Sequence, residues 1–377
     1  MQAKGHEQRL DALVAAVQNN CHLADAHHAA DLSLCSYLLQ MRELFRWERG
    51  LAFGVAVDRQ AVGQWLAQRE SHWSQIEHRP WQALPIGGRE FDAHDVEAVN
   101  AALAPRGLVY GAGLAGVDRP TFFLAHLLGC KQLEPGVLLQ ICGRELARGL
   151  FAAPAALAGG HTVVLRRESL ARVLWEKFEA FSVRRVDTAF KALLEAYGLH
   201  EGADFVAAMP RLVDDLSETL VLHELGEYRA GQWLEPGWAA MRLGLGLEHR
   251  RADLHVRAVR DHITDLEFTL PALIERTDAA ALHFWFANYD GVREQLFPTL
   301  SQAYAAWRGG DAGRALLTTA HTGAAHFRAL AERALELHRQ LGRQAGPAID
   351  RLLTASLAVC AVPPMRVSTR GDWFDQS

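Results

Sequence analysis

The sequence predicts a mostly α fold: a C-terminal helical bundle of seven or eight helices, preceded by a smaller α+β domain with a short antiparallel meander. Three observations point there. From Ser169 almost to the end, apolar residues recur at the three- and four-residue spacing of helices. Between Gly107 and Ile141 the period shortens, and β-prone runs are separated by Gly and Pro. Between Ala152 and Gly160 a stretch rich in Ala, Gly and Pro marks a boundary. At 377 residues, half of them hydrophobic, the chain exceeds the usual length of one domain. Two domains follow: an N-terminal α+β domain over 1–160 and a C-terminal α-helical bundle domain over 161–377.

Taken in order, Met1 to Gln18 carries Leu10, Leu13, Val14 and Val17 at helical spacing, and Asn19-Asn20 breaks the run. Cys21 to Arg49 reads as the next helix. Its row Cys21, Asp25, His28, Leu32, Cys35, Leu39 starts polar and ends apolar, as does the adjacent row His27, Asp31, Leu34, Leu38, Met41, Phe45. Ala61 to Trp73 is a helix, Glu77 to Glu90 is turn-rich surface, and Asp92 to Leu103 is a helix capped by Asp92 or Asp95. Gly107 to Tyr110, Thr121 to His126 and Gly136 to Ile141 are strands of the meander. Gly143 to Arg148 starts a short helix, and Thr162 to Leu165 is one more strand. The bundle helices are Ser169–Phe181, Val186–Tyr197, Pro210–Trp233, Glu248–Leu270, Ala272–Tyr289, Gly291–Trp307, Asp311–Gln340 and Ala348–Val359. Pro210 suits a first helical position, and Pro271 and Gly309-Gly310 are stops. The tail from Val362 is extended, with Trp373-Phe374 placed to dock on something.

Charge and cysteine usage exclude several classes. Lys and Arg total 39 against 44 Asp and Glu, a net charge of −5 without a basic footprint for nucleic acid. The basic clusters Arg42, Arg46, Arg49 and Arg166, Arg167 read as solvated surface. The first 20 residues lack the apolar core of a secretory signal, and no run approaches the ~18 apolar residues of a membrane span. Five cysteines, an odd number without CxxC, argue against a disulfide framework or a cysteine-only zinc site, so a reducing cytoplasm is expected. The letters GxGxxG occur at Gly111 to Gly116, but no helix opens behind them, so they read as a hairpin loop. No GxSxG and no P-loop lysine are present.

One stretch resembles a known pattern. Asn20-Cys21, Asp25-Ala26, His28-Ala29, Asp31, Leu34-Cys35, Tyr37-Leu38-Leu39, Met41-Arg42-Glu43 and Arg46-Trp47-Glu48 resemble the N-terminal signature of an uncharacterised bacterial family. The likeness covers Asn20 to Glu48 and, less sharply, Tyr110 to Arg148. It implies no activity and no catalytic residue, only that this helix matters beyond packing.

Chemistry-bearing side chains gather in four places. His223 and Glu227 are four residues apart, so they share a helix face, nearly in line with Val213, Leu216 and Leu220. Buried polar groups of this kind need a metal or a hydrogen-bond partner. His223-Glu224 resembles the start of HExxH, where the glutamate is the general base, but Glu227 replaces the second histidine and removes the peptidase ligand pair. On the following helix, His255, His262 and Asp265 run one row beside the core stripe Ala252, Val256, Val259, Ile263, Leu266 and Leu270. That row is either a metal wall or the solvent border of an amphipathic helix. Consecutive helices tend to pack antiparallel, which would bring the two sets together. Third, Asp25 and His28 could be a base with its orienting partner, near Asp31 and Cys35, or part of a hydrogen-bond network. His321, among Thr and Ala residues, marks close packing or a cavity wall.

The expected function is therefore a soluble metal-binding protein, a non-haem iron-type enzyme acting on a small molecule. Its metal set is His223, Glu227, His255, His262 and Asp265, with Glu224, Asp25 and His28 as catalytic groups. A divalent metal is expected, Fe over Mn or Zn, and oxidation over hydrolysis. The alternatives are a metal-dependent hydrolase and a non-enzymatic helical interaction or assembly module with structural histidines. A homo-oligomer is compatible with either, and neither nucleic acid nor membrane is an expected partner.

Overall fold

The computed structural model describes residues 2–114, 119–184, 188–200, 203–246 and 248–360. Gly116, Val186 and the tail with Trp373-Phe374 lie outside them, as do the readings made there. The chain forms two compact units. The first contains Met1–Pro236 and Ala272–Ala287, and the second contains Gly237–Pro271 and Asn288–Ser377.

The helices in chain order are α1 Gln2–His28, α2 Leu34–Glu48, α3 Arg59–Ile76, α4 Val96–Leu103, α5 Arg167–Arg184, α6 Ala189–Ala196, α7 Phe205–Leu234, α8 Gly237–Leu245, α9 Arg250–Thr264, α10 Leu270–Glu275, α11 Ala279–Ala287, α12 Gly291–Leu296, α13 Thr299–Arg308, α14 Arg314–Leu341 and α15 Gly346–Cys360. The strands are β1 Leu84–Ile86, β2 Arg89–Phe91, β3 Leu108–Leu114, β4 Pro120–Glu134, β5 Val137–Arg148, β6 Ala155–Ala158 and β7 Thr162–Arg166. The fold is mostly α, with a helical C-terminal region and an N-terminal region that carries the sheets. No helix among the described residues is long and apolar enough to cross a membrane.

Strands β1 and β2 form a hairpin, and the other five form a mixed sheet in the order β3-β4-β5-β7-β6. The expected meander is β3-β4-β5, antiparallel throughout, and β7 joins β5 in parallel. In the first unit, Leu13, Ala16, Val17 and Ala24 of α1 share a core with Leu108, Tyr110, Phe122 and Leu124 of the sheet. Val137, Leu139, Val163 and Leu165 form another cluster, against Val221, Leu225 and Tyr228 of α7. Helices α5, α6, α7 and α11 close a further core around Phe190, Phe205 and Phe284. In the second unit α14 buries Ala320, Ala324, Phe327 and Ala331. A Cβ on Gly323 would sit 2.6 Å from Phe297, so close packing explains the small residues there, while His321 is exposed.

Several local expectations are corrected. Asn20 does not break α1, because its side chain accepts from Gln82 N and donates to Gln82 O inside the fold. The row from Cys21 to Leu39 is not one stripe: α1 ends at His28 and Ser33 caps α2 by accepting from Ser36 N. In the adjacent row Leu34 and Leu38 face out, 72% and 48% exposed, and only Met41 and Phe45 are buried. Gly143 to Arg148 is strand, not helix: it pairs antiparallel with β4, Arg148 opposite Phe123 and Ala147 opposite Leu124. Gly111 lies within β3, where a Cβ would meet the Phe123 ring at 2.0 Å, so it serves close packing of strand and ring. Pro210 sits inside α7, which Asp204 caps by accepting from Ala207 N. Pro271 does not stop its helix either. A π-helical turn over Asp265–Thr269 precedes it, the kind of widening that accommodates a residue without N–H.

Leu124 is fully buried in β4, a strand paired on both sides. Leu124→Ala should lower the stability of the first unit by about 2–5 kcal/mol, read as a fall in the urea midpoint of its unfolding transition.

Candidate functional site

On α7 one face is taken by the sheet through Val221, Leu225 and Tyr228. The opposite face carries Leu216, Thr219, Gly226, Ala230 and Leu234, all buried. At about 100° per residue, His223 and Glu227 lie on that second face, and both are half-buried. Residue spacing thus places an imidazole and a carboxylate one turn apart within an otherwise apolar stripe, as the sequence suggests. Glu224, also half-buried, points about 100° away from His223 around the helix.

The other expected ligands belong to the second unit. His262 is 2% exposed and both its ring nitrogens are engaged, Nδ1 with Ala258 O at 2.6 Å and Nε2 with Tyr289 Oη at 3.2 Å. Its ring stacks on Phe327 at 4.1 Å between centroids. Burial pulls its pKa down to about 4, so it is a neutral core histidine. The ring expected to serve a metal is thus held by Ala258 and Tyr289 within the core. Asp265 is 2% exposed and pairs with Arg293 Nη1 at 3.3 Å. His255 lies 3.8 Å from Asp350 Oδ1. Seven residues of helix separate His255 from His262, about 10 Å of rise, so the two do not share an ion bound at ~2 Å.

The N-terminal set does not form the expected base pair. Asp25 is 1% exposed and its Oδ1 accepts from Leu150 N at 2.9 Å. His28 instead faces Asp31, Nδ1 to Oδ2 at 3.3 Å, and Cys35 is exposed. Asp25 is sealed from any substrate, and burial pushes its carboxyl up to about 7. A Cβ at position 149 would come within 2.8 Å of its Oδ1, so Gly149 is what lets strand β5's end approach it.

Asp25 borders a buried polar network that sequence reasoning missed. Glu145 of β5 is 2% exposed. It accepts from Arg166 Nε at 3.0 Å and Ser169 Oγ at 2.7 Å, with Arg166 Nη2 at 2.9 Å and Arg148 Nη1 at 3.7 Å. Burial raises its pKa, but Arg166 and Arg148 outweigh that and hold it below the usual carboxylate value. Arg148 lies over the Trp47 ring at 4.8 Å, and its backbone exchanges hydrogen bonds with the Gln18 amide. Arg172 donates to Leu150 O, Ala152 O and Gln40 Oε1. Arg46 donates to Ala52 O and Val55 O beside Glu43. Arg46 and Arg166 are therefore interior groups and not the solvated surface that charge clustering suggests. The stretches behind the family resemblance, Asn20 to Glu48 and Tyr110 to Arg148, supply much of this network; that coincidence was the one available signal.

A family model described as the N-terminal domain of a family of unknown function, DUF6866, matches residues 12–166, and the C-terminal domain model of the same family matches residues 171–356. No curated protein and no solved structure matches the chain.

Three outcomes test the buried groups. Glu145→Gln should cost about 3–5 kcal/mol, since it leaves buried arginines without their counter-charge; denaturant unfolding measures it. His262 has a folded pKa near 4 against an ordinary 6.5, so its stabilising contribution is complete above pH 6.5 and is lost as pH falls toward 4. That loss amounts to up to about 3 kcal/mol, and His262→Gln should flatten the pH slope of stability in that window. Asp25 has the opposite sign: its folded value of about 7 lies above 3.8, so its contribution is present below pH 3.8 and lost as pH rises to 7. Asp25→Asn should remove that decline, a difference of up to about 4 kcal/mol across the window.

Proposed function

The chain belongs to the DUF6866 family, whose description supplies no activity, and from its own residues we propose that it binds a divalent metal ion on α7 and acts on a small molecule. The carrying observation is the half-buried pair His223 and Glu227, one turn apart on the face of α7 that otherwise holds Leu216, Gly226 and Ala230. Such a pair is a nitrogen donor and an oxygen donor with fixed spacing. Further positions around the ion would fall to other donors, to water and to substrate.

Mixed imidazole and carboxylate ligation suits iron and manganese as well as zinc. No cysteine lies on α7, which favours iron over a zinc site built on sulfur. Iron supports a redox role, so an oxidoreductase is preferred to a hydrolase, with Glu224 as the adjacent base. His262 and Asp265 leave the ligand set because Tyr289, Ala258 and Arg293 already engage them. The free thiols of Cys21, Cys35, Cys130 and Cys142 support a reducing cytoplasm as the setting.

A second reading has its own support. His262, hydrogen-bonded at both nitrogens, and His255, beside Asp350, behave as structural histidines. They fit a non-enzymatic helical interaction or assembly module.

Metal analysis of protein purified without a histidine tag separates the two. Near-stoichiometric iron is expected in the wild type, mostly lost in His223→Ala and in Glu227→Ala, and retained in His262→Gln. Metal-free wild-type protein, or metal unchanged in the two α7 variants while they stay folded, would leave the assembly module standing.

A further inference from the structure

The first unit has a second place where chemistry collects, well away in sequence from α7. Between the end of α1, the start of α2 and the second half of α3 lies an open cleft of about 450 Å³. That volume is in the ~300–1,000 Å³ range of small-molecule sites. One wall is a single stripe of α3 and the residue after it: Glu70 and Trp73 of α3 and its C-cap Glu77 follow the three- and four-residue spacing of one helix face. The opposite wall holds Tyr37 of α2 and the methyl groups of Ala29 and Ala30.

The charged lining of the cleft is acidic throughout. Glu70 and Glu77 supply it, and no Lys or Arg lines the cleft. Arg69, next to Glu70 in the chain, grips Glu48 at 2.6 and 2.7 Å and also contacts His22, and Arg119 lies 3.4 Å from Asp31. Glu70 has no cationic partner among the described residues. Its Oε1 accepts from Tyr37 Oη at 2.7 Å, which orients the carboxylate. Burial and the Glu70 charge both raise the Tyr37 pKa, so the phenol stays a neutral donor. The exposed His78 ring lies 3.5 Å from the Glu77 carboxylate, and His27 Nε2 lies 2.5 Å from the Glu77 carbonyl.

Between the carboxylates the cleft floor includes the edge of Trp73, a ring otherwise packed in the core. Trp73 is 5% exposed, lines the cleft, and its indole Nε1 has no hydrogen-bond partner. Two carboxylates flank this ring, seven residues and so about 10 Å apart along α3. That separation rules out a single small ion held by both at ~2 Å. It matches a linear molecule with positive nitrogens at its ends and methylenes between, whose chain would lie along Trp73 and Tyr37 with ammonium groups near the rings and the carboxylates.

We propose that the cleft binds a linear aliphatic diamine or polyamine, one protonated nitrogen at Glu70, the other at Glu77, and the methylene chain between Trp73, Tyr37 and the alanines. This site is independent of the metal proposed on α7.

Isothermal titration calorimetry in EDTA tests it, with Trp fluorescence as a second readout. The probes are spermidine, 1,5-diaminopentane, n-butylamine and 1,8-octanediol. Spermidine or the diamine should bind at least tenfold more tightly than n-butylamine, and the uncharged diol should not bind. Glu70→Gln and Glu77→Gln should each weaken diamine binding at least tenfold, to the level of the monoamine. Ala30→Leu should block it by filling the cleft. Glu90→Gln, at an exposed position on β2, controls for loose attraction to a negatively charged protein and should change nothing. The glutamine variants keep their shape, and thermal unfolding confirms that each is folded. The proposal is overturned if neither diamine nor spermidine binds, if the monoamine binds equally well, or if Glu70→Gln and Glu77→Gln bind like wild type.

Discussion

A carboxylate almost without contact with water must be surrounded by positive charge, and in the first unit that group is Glu145. An isolated buried carboxylate costs several kcal/mol, which its neighbours have to offset. Arg166 and Arg148 supply the charge and Ser169 a further donor. Each arginine then needs support of its own. Arg148 has the Trp47 ring and the Gln18 amide, and Arg166 has the Phe123 ring. Arg172 ties the carbonyls of Leu150 and Ala152 to Gln40 and Glu176. Satisfying one group thus fixes α1, α2, α5 and the end of β5 in one arrangement. Apolar packing alone would tolerate small slippage between these elements, whereas hydrogen-bond geometry does not.

Where one face is dry and the other wet, the sequence was readable. The helical class, the meander β3-β4-β5 and the stripe of α9 with Ala252, Val256 and Val259 all follow from periodicity. Periodicity does not report charge buried on the dry face. Arg46, Glu145 and Arg166 look like surface residues in a sequence, because only a partner distant along the chain makes their burial tolerable. The same limit turned the end of β5 into a helix: Glu145 and Arg148 satisfy the three-residue spacing of a helix turn, and nothing local announces their pairing with β4.

The histidines divide in a similar way. A polar residue at the margin of an apolar stripe can serve a ligand or the core, and its second contact decides. Tyr289, Ala258 and Phe327 decide for His262, and they come from a loop, the preceding turn and another helix. His223 and Glu227 retain the spacing that first singled them out, now on a helix face whose other members are buried. Asp25 shows the reverse case: the residue is interior, as its helix stripe suggests, but its partner is the backbone of Leu150 and not His28.

The first unit is discontinuous: Ala272–Ala287 returns to it after the chain has entered the second. Phe284 of that return segment sits in the same core as Phe190, Phe205 and Leu212. During synthesis, the N-terminal 236 residues therefore leave the ribosome with a core still open on one side, and it closes only after α8, α9 and α10 have been made. Chain order and domain order are out of step, so neither unit is a separable module that can be cut out at one peptide bond. A gene fragment ending near residue 236 would encode an exposed aromatic surface, and the two units have to be inherited, expressed and folded as a single piece.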